Sequence, residues 1–112
     1  MKNFALLPAS QEIREWCSIL EQEMMHWPGV KISHIFGTRA FYHRKVMFAM
    51  LPDRRSLESS TAISFISSNE KEDQSPNWQT FELKNRNLIN VALTSLEKAY
   101  KDSILLRPSS NV

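Results

Sequence analysis

Glycine is nearly absent from this chain, which holds two among 112 residues, Gly29 and Gly37. Loops that cradle phosphate with backbone amides need several closely spaced glycines, so nucleotide-binding loops of that kind are excluded by count. Cysteine is rarer still. Cys17 stands alone, so it has no internal disulfide partner and no Cys-x-x-Cys metal or redox pair. No apolar run approaches the roughly 20 residues of a membrane span. The apolar patch within the opening Met1-Lys-Asn-Phe-Ala-Leu-Leu-Pro8 is far too short for the apolar region of a signal peptide. A Gly-x-Ser-x-Gly nucleophile elbow is missing. The expectation is a cytoplasmic protein with no metal, no cofactor and no membrane partner.

What is present suffices for a packed core. Hydrophobic residues make up 42% of the chain, with three Trp and six Phe. A chain of this length forms one domain and buries roughly two-thirds of its unfolded surface, so residues 1–112 are read as a single domain. Formal net charge is only +2, but it is unevenly spread. From Trp27 to Ser60 six basic residues face two acidic ones, while the first 26 residues set Lys2 and Arg14 against Glu12, Glu15, Glu21 and Glu23. The molecule is therefore dipolar, with a mildly basic region in its middle third.

Periodicity supplies the elements. Ser10 is a good helix N-cap, and Ile13, Trp16, Leu20, Met24 and Trp27 recur at spacings of three or four, the stripe of an amphipathic helix. Pro28-Gly29 stops it. Val30 to Phe36 alternates with period two, Gly37 marks a tight connection, and Arg39–Tyr42 and Val46–Leu51 flank His43-Arg44-Lys45 as a hairpin. That turn lacks Asn-Gly or Asp-Gly, so its register is open. Ala62–Ile66 predicts a fourth strand and Trp78–Leu83 a fifth, with Trp78 and Phe81 as packing anchors. Residues 67–77 hold only polar side chains apart from Pro76 and read as an exposed loop. Asn85 or Asn87 can cap a last helix whose stripe is Leu88, Ile89, Ala92, Leu93, Leu96, Ala99 and Tyr100, with Glu97 and Lys101 paired outside. Residues 107–112 read as a frayed tail. Two helical stripes need one apolar sheet face to cover. The expected fold is an α+β two-layer sandwich, ordered helix, four or five antiparallel strands, helix, with both helices on one face.

The Ile35-Phe36-Gly37 turn and the following Ala40-Phe-Tyr-His-Arg-Lys-Val-Met-Phe-Ala-Met-Leu51 resemble the N-terminal domain of TfoX-type proteins. There a Met-Phe-Gly-Gly turn leads into a strand, a short turn and a strand carrying Phe-Ala. The Trp78 strand and the helix ending at Ala99-Tyr100 are similar to the related YjbR-like proteins. The likeness runs from about Met24 to Lys101, and it departs from the usual pattern at Thr38, where a second Gly is common. It implies an α+β sandwich with a regulatory or DNA-associated role and no catalytic activity.

The chemistry-bearing residues offer little else. His26, His34 and His43 are spaced by eight and nine and match no metal motif. His34 reads as a hydrogen-bonded core or edge residue, His43 as solvent-facing, and His26 as a helix-end group that favours the dipole when protonated. Cys17, with Glu12, Glu15 and Glu21 near in sequence, reads as a buried structural thiol. Glu70, Glu72 and Asp73 read as solvated loop charge. No catalytic set emerges, and the expectation is a non-enzymatic binding or regulatory domain. Its contact surface is expected at a basic sheet end formed by Arg39, His43, Arg44, Lys45, Arg54 and Arg55, facing a nucleic acid or protein, with Tyr42 as a stacking platform if it faces outward. One alternative is a protein-interaction or homodimerisation module using an unpaired sheet edge. Another is a small-molecule binder with a helix–sheet pocket lined by Trp16, His34, Tyr42 and Trp78.

Overall fold

The computed structural model describes residues 7–56, 59–67 and 77–104. The elements run β1 (Leu7–Pro8), α1 (Gln11–Met24), β2 (Val30–Ile35), β3 (Thr38–His43), β4 (Val46–Pro52), β5 (Arg55–Ser56), β6 (Ala62–Ser67), β7 (Asn77–Glu82), a 3₁₀ turn (Arg86–Leu88) and α2 (Ile89–Ser103). β2, β3, β4, β6 and β7 form one antiparallel sheet in that order, and β1 pairs with β5 in a separate two-stranded ribbon. The architecture is the expected α+β sandwich. The ribbon was not foreseen, because Pro8 and the Pro52–Arg55 segment read as a stop and a turn. Most of the polar segment 67–77, the carboxylates within it and all of the tail 107–112 lie outside the described residues; Ser67 and Asn77 themselves end β6 and begin β7.

Local chemistry explains the helix limits. Ser10 caps α1 by accepting from the Ile13 amide at 3.1 Å, satisfying one of the donors a helix start leaves free. Ile13, Cys17, Leu20 and Met24 form the buried stripe, with Trp16 and Trp27 packed partly against it. His26 follows, its Nδ1 2.8 Å from the Gln22 carbonyl. Asn85 caps the 3₁₀ turn through the Asn87 amide at 2.9 Å, and Ala92, Leu96 and Ala99 are the buried line of α2. The Glu97–Lys101 pair closes at 3.7 Å.

Both helices cover the same sheet face, and β3 demonstrates it. Residues 39, 41 and 43 share one face of a strand because successive side chains alternate. Arg39 reaches α1 through Ser18 and Glu21, whereas His43 reaches Ser103 of α2. Between them lies Phe41, fully buried. Opposite, β4 carries a bulge. Phe41 pairs with Ala49 and Tyr42 with Met47, so Phe48 is the extra residue. A bulge re-aims the strand locally, and here Phe48 and Ala49 are both buried in succession. The Phe48 ring lies 6.4 Å from Phe41 and 5.7 Å from Tyr100, within the range of favourable tilted aromatic contacts.

Candidate functional site

The six residues expected to form one basic sheet end are not brought together. Arg39 is 5% exposed. Its guanidinium donates to Glu21 at 2.9 Å, to Asp53 at 3.2 Å, to the Ser18 hydroxyl at 3.2 Å and to the Arg14 carbonyl at 3.2 Å. Four hydrogen bonds inside the protein leave only the buried Nε without a partner, so this arginine is a clamp between β3, α1 and the β4–β5 corner and presents no face to a ligand. The expectation for Arg39 is corrected on that ground.

His43 is corrected too. It is 7% exposed, set 4.7 Å from the Tyr100 ring, with Nδ1 3.1 Å from the Ser103 hydroxyl. That hydroxyl donates to the Tyr100 carbonyl, so its oxygen accepts from Nδ1–H. Arranged so, the serine has no proton to give the imidazole, and the pair joins β3 to the end of α2 without the polarity of a nucleophile and base. Burial first, and the Arg44 charge second, hold the His43 pKa below its ordinary value. Cys17 is also fully buried, and burial pushes its thiol up to about 12, the state of an inert structural cysteine.

Four cations remain, and they occupy opposite ends of the sheet. Arg44 and Lys45 form the two-residue connection between the paired His43 and Val46. Arg54 and Arg55 lie beside Gly37, at the other end of β3. Six residues of strand at about 3.3 Å each put roughly 20 Å between the two groups. At the first end, an open cleft of about 620 Å³ is lined by Gly29, Lys31, Ile32, Ser33, Tyr42, Arg44 and Lys45. Lys31 and Tyr42 are directly paired across β2 and β3, so the aromatic ring has one cation beside it on β2 and two at the adjoining turn, while its partner on β4 is Met47. No acidic residue lines this cleft, and none of its three cations has an ion pair among the described residues. Lys31 was passed over in the sequence because its charge sits one strand away; its cross-strand register with Tyr42 is what recruits it.

The connection itself is unusual. Arg44 has φ +55° and Lys45 φ +70°, the left-handed pair of a type I′ turn, which glycine and asparagine adopt most cheaply. Neither is present. Each non-glycine residue held this way costs on the order of 1 kcal/mol, so the chain keeps two cations at this tip against a conformational penalty.

The expected helix–sheet pocket does not form. His34 shares the helix-side face with Arg39, its cross-strand partner, yet lies exposed on the outer strand β2. Tyr42 has the opposite parity and faces the other side. Trp78 is 46% exposed on β7, four strand spacings or about 19 Å from β2, and so is no packing anchor; Phe81 is. Trp16 packs against the core on α1. Among the described residues no group of three or more His, Cys, Asp or Glu is placed to hold a metal, and no helix is long and apolar enough to cross a membrane. Comparison with known proteins finds no matching family model, no matching curated protein and no matching solved structure.

Proposed function

We propose that this is a non-enzymatic, cytoplasmic binding domain with a regulatory role, acting through contact with nucleic acid, as the resemblance to TfoX N-terminal and YjbR-like domains implies. The observation that carries the reading is the cleft around Tyr42, where Lys31, Arg44 and Lys45 surround a half-buried ring and no carboxylate competes. Cations neutralise phosphates and release condensed counterions, while an aromatic face accepts a base whatever its identity. The strained Arg44-Lys45 tip adds weight, since backbone strain retained at a charged turn points toward a use for the charges. Binding to labelled single-stranded and duplex oligonucleotides between about 50 and 200 mM salt tests it, with log affinity falling against log salt at a slope of roughly 0.7–0.9 per phosphate neutralised. The Arg44→Ala/Lys45→Ala variant should flatten that slope by roughly 1.4–1.8. A slope equal to that of the parent protein removes this cleft from the contact.

A second reading rests on β7. It is the outer strand of the sheet, its residues Asn77 to Thr80 are exposed, and Trp78 stands among them. Strand edges of this kind pair with a second copy. A dimer in solution that is indifferent to salt and oligonucleotide, and that Trp78→Ser dissociates, would favour it over nucleic-acid contact.

A further inference from the structure

At the far end of β3 stands a feature of a different kind. Phe36 is 79% exposed, the most exposed large apolar side chain among the described residues. It occupies the first central position of the β2–β3 connection at φ +53°, followed by Gly37 at φ +77°, which makes a second type I′ turn. Beside it an open cleft of about 650 Å³ is lined by Pro8, Arg14, Phe36, Gly37, Arg54 and Arg55. Three arginines and one aromatic ring meet there with no carboxylate in the wall. None of the three is in an ion pair among the described residues.

This cleft is built rigidly. The Gly37 carbonyl accepts from the amides of both Arg54 and Arg55 at 2.9 Å, so the two arginines hang from the hairpin tip itself. A Cβ on Gly37 would meet the Arg55 side chain at 2.6 Å; only glycine lets the tip and the β4–β5 corner come so close. From the other side β1 pairs Pro8 with Arg55, and the Ala9 amide donates to the Arg54 carbonyl at 3.0 Å. The short ribbon unforeseen in the sequence is therefore the wall that holds Arg54 and Arg55 against the Phe36 turn. The neighbouring groove shares Arg14 and sets it and Arg39 against Glu15 and Asp53, so the excess of positive charge ends on that side.

We infer that the Phe36 turn with Arg14, Arg54 and Arg55 is a second nucleic-acid contact, specific for single strands, in which the ring stacks on an unpaired base while the arginines hold the flanking phosphates. This rests on the nucleic-acid reading above and narrows its partner. A largely exposed phenyl ring gains nothing from a paired base, whose faces are already stacked, but an unpaired base offers one. Arginine suits the flanking positions because its planar fork matches phosphate oxygens bidentately. An anionic membrane is the less fitting occupant: one aromatic ring at a concave cleft supplies little apolar area to bury in lipid.

The test compares an unstructured oligothymidine with a duplex of equal length, using Phe36→Asn, Arg54→Ala/Arg55→Ala and Arg44→Ala/Lys45→Ala. Asparagine tolerates φ near +53° better than phenylalanine, so the first variant keeps the turn while removing the ring, and its melting curve checks this. Phe36→Asn should weaken the single strand roughly five- to hundredfold with the salt slope unchanged, and leave the duplex alone. The paired arginine change should lower the single-strand slope by roughly 1.4. Affinity of Phe36→Asn within twofold of the parent overturns the inference, as does equal loss on duplex. Binding to phosphatidylserine vesicles with no binding to oligothymidine overturns it in favour of a membrane. Loss confined to the Arg44/Lys45 variant sinks this inference and leaves the Tyr42 cleft standing; loss confined to the Phe36 and Arg54/Arg55 variants does the reverse.

Discussion

Arg39 shows how little a residue's charge says about its use. The guanidinium spends four hydrogen bonds on two helical residues, one helical carbonyl and Asp53, while Glu21 and Asp53 keep 31% and 27% of their side chains in contact with solvent. Removing one member of a buried ionic cluster leaves the others uncompensated and costs about 3–5 kcal/mol when they are fully buried. Partial exposure lowers that, so Arg39→Met should lose about 2–4 kcal/mol in urea unfolding. A loss below about 1 kcal/mol would mean that the two carboxylates simply hydrate and the clamp is dispensable. The signal for burial was already in the chain: residues 39, 41 and 43 have one parity, and Phe41 declares which face that is. That alternation places Arg39 and His43 together on the helix side, apart from the four exposed cations.

At the scale of elements, the β3–β4 turn sets conformational preference against electrostatics. Asparagine and glycine are the residues a type I′ turn prefers, and Arg44→Asn/Lys45→Gly should raise stability by about 1 kcal/mol by relieving left-handed strain at two positions. The same change deletes two cations from the Tyr42 cleft. Thermal unfolding and oligonucleotide binding measured on this one variant should move in opposite directions. A variant that is both more stable and undiminished in binding would sever the link between strain and contact. The helices were legible because Ser10, the apolar stripes and Pro28-Gly29 act locally, each within one or two turns. The bulge at Phe48 and the β1–β5 ribbon were not, because both are decided by which strand lies alongside. No local pattern distinguishes Arg55–Ser56 as a strand until Leu7–Pro8 arrives to pair with it.

Across the whole molecule, three titratable groups shifted by the fold, His43, Glu82 and Cys17, shape its response to pH. His43 has its folded pKa lowered, chiefly by burial. The fold therefore favours the neutral ring, and its contribution is present above the unfolded value near 6.5 and is lost as pH falls through the folded one. Glu82 accepts from the hydroxyls of Thr61 and Ser59, and these bonds lower its pKa; its contribution too is present above the ordinary carboxylate range and fades with further acidification. Cys17 works on the other limb. Its folded pKa, about 12 against an unfolded 9.0, makes its contribution complete below pH 9.0 and lost as pH rises toward 12. Urea midpoints should accordingly stay high between neutrality and pH 9 and decline on both sides, first on the acid side. His43→Phe should remove the first part of the acid decline, and Cys17→Ala should flatten the alkaline limb. A midpoint that rises between pH 7 and pH 5 would contradict the His43 assignment.

The order of the two helices and the five strands of the main sheet, the two-layer α+β class and the buried stripes were determined by the sequence on its own, since turn chemistry and hydrophobic periodicity act over a few residues and two apolar helix stripes leave one sheet face to share. Which basic residues stand together was decided only by the tertiary structure. Strand register sends Arg39 and His43 beneath the helices, recruits Lys31 to Tyr42, and separates Arg44 and Lys45 from Arg54 and Arg55 by the length of β3. Proximity between distant side chains depends on pairing partners and parity, and these exist only once the sheet has formed.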